Sequence, residues 1–296
     1  STTAMVISGL HTALITPFQA DGSLDLAAVK QLLDQQLHAG VQGVVVGGST
    51  GEAATLTLME KEVLWRTAVD HVAGRMLVVA GTGTNATSTT VEASVMAQRC
   101  GADALVVTPY YNKPTRSGLM AHHSAIADAT PLPQILYNIP GRSGLNMSAE
   151  TQLALAEAVP TVVATKEASA NLEQMGEIIR NAPDTFSLLA GDDVLALPVI
   201  ALGGTGVIAV MSNYAPVLYG RLVHAALQGN ISEAQRVQEI LGPWYQANFI
   251  ETNPLPVKYI MHVLHGIELR YRLPLTTPTD ATQATLRTML EGSQLA

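Results

Sequence analysis

A (β/α)8 barrel is the fold this sequence predicts, and three observations predict it. Short apolar, β-branched runs recur eight times along the chain. They are spaced by roughly 20–35 residues, the length of one βα unit. Each is followed by a stretch with helical hydrophobic spacing. The runs are nearly continuous in their apolar character, as strands buried on both faces of a parallel sheet must be. Eight such units in about 230 residues fit a closed barrel better than an open doubly wound sheet, the alternative arrangement.

The expected strands, in order, are Thr12–Thr16, Val44–Val46, Leu77–Ala80, Leu105–Thr108, Ile135–Tyr137, Val162–Thr165, Ser187–Ala190 and Val207–Val210. Between the first two, Asp25 to Leu37 places Leu26, Val29, Leu32, Leu33 and Leu37 on one helical face, and Thr57 to Val72 behaves alike. The uncharged stretch from Val194 to Met211 is interrupted by Pro198 and by Gly203-Gly204-Thr205-Gly206, so it reads as a buried helix and a buried strand instead of a membrane span. After the eighth unit, Ser232–Phe249, Pro254–His265 and Thr279–Leu290 look helical. No Pro-, Gly- or Ser-rich linker precedes them. The expected organisation is a barrel over residues 1–230 and a helical C-terminal extension over 231–296, packed on it.

Composition narrows the function. Hydrophobic residues make up 48% and charged residues 14%, which excludes a disordered chain. With 16 Lys+Arg against 24 Asp+Glu the net charge is −8, and no basic run offers a nucleic acid or an anionic membrane a footing. A single cysteine, Cys100, points to a reducing cytoplasm. The opening residues Ser1 to Leu10 lack the basic start and apolar core of a secretory leader, so none is expected.

Active sites of such barrels lie at the C-terminal ends of the strands. Those ends here are crowded with polar and glycine residues: Gly47-Gly-Ser-Thr-Gly-Glu52, Gly81-Thr-Gly-Thr-Asn85, Thr108-Pro-Tyr-Tyr-Asn-Lys113, Tyr137-Asn-Ile-Pro-Gly-Arg142, Lys166-Glu-Ala-Ser169 and Gly191-Asp-Asp193. Of the five lysines, Lys30 and Lys61 fall in helical patterns and read as solvated charges, and Lys258 reads as structural. Lys166 closes an apolar strand and should face the barrel mouth. Desolvation there favours the neutral amine, the form that attacks a carbonyl to make a Schiff base. The bland alternative is a lysine paired with Glu167 or an aspartate.

Tyr137 ends the preceding strand, within reach of that amine, where a phenol can move protons during imine formation. Arg142 offers a fork for a carboxylate. In the glycine-rich loop, Ser49 and Thr50 add hydroxyls to a backbone suited to a small anion.

In this order the motifs resemble the dihydrodipicolinate synthase family, one of the class I pyruvate aldolases that include N-acetylneuraminate lyase. The resemblance runs from Thr16-Pro-Phe18 to Asn253-Pro-Leu-Pro-Val-Lys258. It implies that Lys166 carries pyruvate as a covalent imine with no other cofactor. Tyr137 would relay protons together with Thr50 and Tyr111, the latter supplied by a neighbouring subunit of a tight dimer within a homotetramer. Ser49 and Thr50 would hold the pyruvate carboxylate and Arg142 that of aspartate semialdehyde. Gly191 would leave room for substrate, and the carbonyl of Ile208 would line the pocket. The implied reaction condenses pyruvate with L-aspartate 4-semialdehyde in lysine and diaminopimelate synthesis. A sibling aldolase acting on sialic or 2-keto-3-deoxy sugar acids is the alternative, and Arg142 argues against it. A catalytically silent barrel is a third reading, opposed by the intact Lys166, Tyr137, Thr50 and Arg142.

This chain departs from the family pattern in two places. Ser49-Thr50 stands where many synthases have Thr-Thr. At the positions where lysine-inhibited members carry polar, histidine and glutamate side chains stand Ala53, Leu58, Lys61 and Thr89, although Asn85 and Tyr110 remain; weak feedback by lysine is therefore expected. Other motifs carry less. Gly81-Thr-Gly83-Thr-Asn-Ala86 mimics a dinucleotide fingerprint but sits in the third unit, and Asp103 begins a strand instead of ending one. His122-His123 and His262 with His265 lack a third metal ligand. Asp192-Asp193 reads as a helix N-cap.

Overall fold

The computed structural model describes residues 5–295. Ser1–Ala4, on which part of the no-leader expectation falls, lie outside the described residues, as does Ala296. Eight parallel strands close into a barrel in sequence order: β1 (Gly9–Ala13), β2 (Gly43–Val46), β3 (Leu77–Gly81), β4 (Ala104–Val107), β5 (Gln134–Asn138), β6 (Val162–Glu167), β7 (Ser187–Ala190) and β8 (Gly206–Ala209). The open-sheet alternative is thereby excluded. Closure happens where β8 meets β1, at Gly206 opposite Gly9. A Cβ on Gly206 would lie 2.1 Å from the Gly9 carbonyl oxygen, so the seam admits no side chain there.

The helices are α1 (Leu26–Ala39), α2 (Leu58–Val72), α3 (Thr87–Cys100), α4 (Arg116–Ala129), the short α5 (Pro140–Ser143), α6 (Ala149–Ala158), α7 (Leu172–Asn181), α8 (Ala196–Leu202) and α9 (Pro216–Leu227). Their starts follow from local chemistry. The Asp25 carboxylate accepts the Ala28 N–H, and Thr57 with Glu60 forms a reciprocal capping box. α1 and α3 stop at Gly40 and Gly101, both in the left-handed conformation. Three more helices follow: α10 (Ile231–Ala247), α11 (Leu255–His265) and α12 (Asp280–Glu291). α10 packs on α9, and α12 on α11.

Strand alternation sorts side chains into two cores. Ala13, Val45, Val79, Val106, Ile135, Tyr137, Ala164 and Ile208 fill the barrel interior. Val44, Val46, Val78, Leu105 and Leu136 face outward against the helices. The expected first strand, Thr12–Thr16, is displaced by three residues from β1. The apolar run continues past the ladder because Leu14 and Ile15 stay buried in a loop, where the Ile15 N–H is taken by the Asn213 side chain. The stretch Val194–Met211 does fold as a helix and a strand, and no helix among the described residues is long and apolar enough to cross a membrane.

Candidate active site

Lys166 lies on β6 directly across the ladder from Tyr137 on β5. Both point into the barrel, because each is two residues on from an interior side chain, Ala164 and Ile135. The Lys166 Nζ sits 3.9 Å from the centre of the Tyr137 ring. Only 7% of Lys166 is exposed, and burial pushes its pKa down to about 8, opposed by the nearby charges of Asp193 and Asp192. Burial raises the Tyr137 phenol well above its ordinary value, so it stays protonated at neutral pH.

Glu167 is not the partner of this amine. It projects to the other side of the strand, where Asn138, Gln152 and Gln174 donate to its carboxylate at 2.6, 2.8 and 3.2 Å. Three amides satisfy a buried carboxylate without a counter-ion.

Ser49, Thr50, Tyr110, Tyr137 and Lys166 line one pocket at the C-terminal end of the strands, with Gly47, Gly48, Gly81 and Gly83 in its wall. The glycines of the dinucleotide-like motif have a packing reason. A Cβ on Gly81 would strike the Gly47 carbonyl at 2.4 Å, and one on Gly83 the Thr108 N at 2.4 Å. Asp103 accepts the Val78 N–H and ties two strands together. Gly191 is likewise forced: a Cβ there would lie 2.7 Å from that of Ala168 and 3.2 Å from the Lys166 Cγ. The Ile208 side chain is buried among the interior side chains of the barrel.

A wider cavity adjoins this pocket and shares Ser49, Ala53, Gly83 and Tyr110 with it. Arg142, Tyr111, Lys61, Asn85 and Asn253 also line it. Arg142, exposed at the end of α5, donates to the Asn253 carbonyl at 3.1 Å. Tyr111 is 70% exposed and is not brought to Lys166 within this chain.

Two expectations are corrected here. Lys61 is not a solvated charge but only 9% exposed, because the face of α2 that carries it turns toward the cavity; burial lowers its pKa. Asp193 does not cap its own helix. Its carboxylate accepts the N–H groups of Val210 at 2.9 Å and Met211 at 2.8 Å, bridging the ends of β7 and β8, and burial raises its pKa to about 6.

The structure adds residues that spacing did not single out. Asn253 donates its side-chain amide to Thr50 Oγ1 at 2.9 Å. Lys258 forms a fully buried ion pair of 2.6 Å with Glu52, the residue that closes the Ser49–Thr50 loop. Only the apolar-flanked Asn253–Lys258 motif hinted at either, since both contacts span more than 200 residues. Neither His122-His123 nor His262 with His265 belongs to a metal-binding group among the described residues. His123 is buried against Gln134, and His262 bonds the Ile267 carbonyl.

A closed parallel barrel with a desolvated lysine at a strand's C-terminal end, a phenol beside it and an anion-suited loop opposite has the layout of a Schiff-base lyase. The chain belongs to the dihydrodipicolinate synthetase family, whose model matches residues 6–293. It is 43% identical over 292 residues to the 4-hydroxy-tetrahydrodipicolinate synthase of Maridesulfovibrio salexigens, covering 98% of this chain and 100% of the relative. It is 46% identical over 284 residues to that of Acidobacterium capsulatum, covering 95% and 94%. The crystal structure of dihydrodipicolinate synthase from Aquifex aeolicus superposes with a TM-score of 0.95 at 40% identity, over 98% of this chain and 99% of the other.

Proposed function

We propose that this chain condenses pyruvate with L-aspartate 4-semialdehyde to give 4-hydroxy-tetrahydrodipicolinate, using Lys166 as the covalent carrier. The single observation that carries the reading is the amine of Lys166, desolvated, unpaired with Glu167 and set against Tyr137. The names of the full-length relatives favour it over the sugar-acid aldolase.

The chemistry follows from the groups present. Neutral Lys166 attacks the pyruvate carbonyl to give a carbinolamine. Loss of water leaves an imine, whose nitrogen draws electrons from the adjacent methyl group. Deprotonation there yields an enamine that attacks the aldehyde carbon, and the amino group of the semialdehyde then displaces the Lys166 amine from the imine carbon, closing the ring and freeing the lysine. Tyr137, protonated at neutral pH, can give a proton to the departing hydroxide and recover it from solvent or substrate. Ser49 and Thr50 take the pyruvate carboxylate, and Arg142 at the wider mouth takes that of the semialdehyde. The amine itself does the covalent work, so the reading calls for no cofactor.

Tyr111, exposed and remote from its own Lys166, suits a role in a neighbouring copy, as a homotetramer of tight dimers requires. Residues 231–296 are kept in this reading as a helical extension of the barrel, and the buried, unpaired Cys100 goes with a cytoplasmic setting.

Incubation with pyruvate and borohydride tests the site. Hydride should trap the imine, and peptide mass mapping should place the adduct on Lys166. An adduct on Lys258, or none, would refute the assignment.

A further inference from the structure

We propose that Asn253 is a positioning residue for Thr50, its side-chain amide setting the direction in which the Thr50 hydroxyl offers its proton. The inference rests on the reading of the Lys166 pocket given above. A hydroxyl has one proton and two lone pairs. With one lone pair of Thr50 Oγ1 occupied by the Asn253 amide at 2.9 Å, its own proton is turned away from Asn253. It then points into the pocket shared with Ser49, Tyr110, Tyr137 and Lys166.

Asn253 is itself held from several sides. It is only 8% exposed, and its backbone carbonyl accepts from Arg142. Two residues on, the Leu255 carbonyl accepts the Tyr271 hydroxyl at 2.6 Å, and five residues on, Lys258 pairs with Glu52. The side-chain oxygen of Asn253 has no partner among the described residues. In the observed orientation the amide spends one of its N–H donors on Thr50 Oγ1. One residue thus touches both proposed carboxylate receptors, Thr50 through its side chain and Arg142 through its backbone.

The test is Asn253→Asp, nearly the same in shape but opposite in hydrogen-bonding sense. Near pH 8 the introduced carboxylate accepts the Thr50 proton and withdraws it from the pocket. Turnover should fall at least tenfold, while borohydride trapping of pyruvate on Lys166 persists. As pH falls toward the pKa of the introduced carboxyl, its neutral form can donate as the amide does. The ratio of variant to wild-type turnover should therefore rise on acidification, whereas Asn253→Ala should show a loss with no such recovery.

A ratio that stays flat with pH, whether near one or uniformly low, overturns the proposal. Should the aspartate variant fail to fold, Asn253→Ala is compared in the wild-type and Thr50→Val backgrounds. A loss in the first and none in the second supports the proposal, and equal losses overturn it. A wild-type chain that traps no pyruvate sinks the site reading and this inference with it; one that traps pyruvate but shows the flat ratio sinks the inference alone.

Discussion

The protonation of Lys166 is set by a balance between burial, which favours the neutral amine, and the carboxylates of Asp193 and Asp192, which favour the ammonium. With a pKa of about 8, roughly a tenth of the chains carry a free amine at pH 7. The rate of pyruvate trapping should accordingly climb with pH and level off above about 8. Asp193→Asn removes a negative charge that stabilises the ammonium, so the inflection should move to lower pH; an upward shift would contradict this account. Arg142 is the proposed receptor for the other substrate. Arg142→Ala should raise the KM for aspartate semialdehyde by roughly 10–100-fold, the worth of a charge-assisted contact. Pyruvate trapping should be unchanged in the same variant. Equal damage to both would make Arg142 structural.

At the scale of elements, the Ser49–Thr50 loop is held by α11 from the C-terminal extension. Lys258 and Glu52 are 0% and 1% exposed in their side chains, and the second oxygen of Glu52 accepts the Arg272 backbone N–H at 3.1 Å. The Lys258 ammonium also lies 4.3 Å from the centre of the Phe18 ring. Breaking such a pair from one side strands a buried charge, at a cost of about 3–5 kcal/mol. Lys258→Met should therefore lower the thermal midpoint substantially. Adding Glu52→Gln should restore part of the loss, because the stranded carboxylate is then gone. Calorimetry of the two variants decides it, and simple additivity would show that the pair is not coupled.

Across the whole molecule, the cavity beside the Lys166 pocket brings Ala53, Lys61, Asn85 and Tyr110 together. The carboxylates nearest in sequence are committed elsewhere, Glu52 to Lys258 and Glu60 to the Arg272 guanidinium. Thr89 is turned to Thr84 and the Ala86 carbonyl. The carboxylate that lines the cavity, Glu52, is already paired with Lys258, so among the described residues an incoming ammonium meets no free anion there. Free lysine should thus be a poor inhibitor in a titration of activity at subsaturating pyruvate. Half-inhibition below about a millimolar, near −4 kcal/mol of binding, would show that a partner charge exists which the single chain does not present.

The barrel and the buried position of Lys166 at the mouth were legible in the amino-acid order because both are written in short-range pattern. Apolar runs at βα spacing force parallel strands, and a lysine that ends such a run has to emerge at the catalytic end. Even there, β1 could not be bounded from hydrophobicity, since Leu14 and Ile15 are buried in a loop whose Ile15 N–H is satisfied by Asn213, far along the chain. The surroundings of Lys61 and Asp193 escape local pattern for a related reason: which face of α2 meets a cavity, and which N–H groups a carboxylate reaches, depends on neighbours from other units. The contacts of Asn253 with Thr50 and of Lys258 with Glu52 join residues 203 and 206 positions apart. No local period encodes them. They arise only when closure of the barrel fixes where the C-terminal segment must pack, and that packing sets the hydrogen-bonding partner of Thr50.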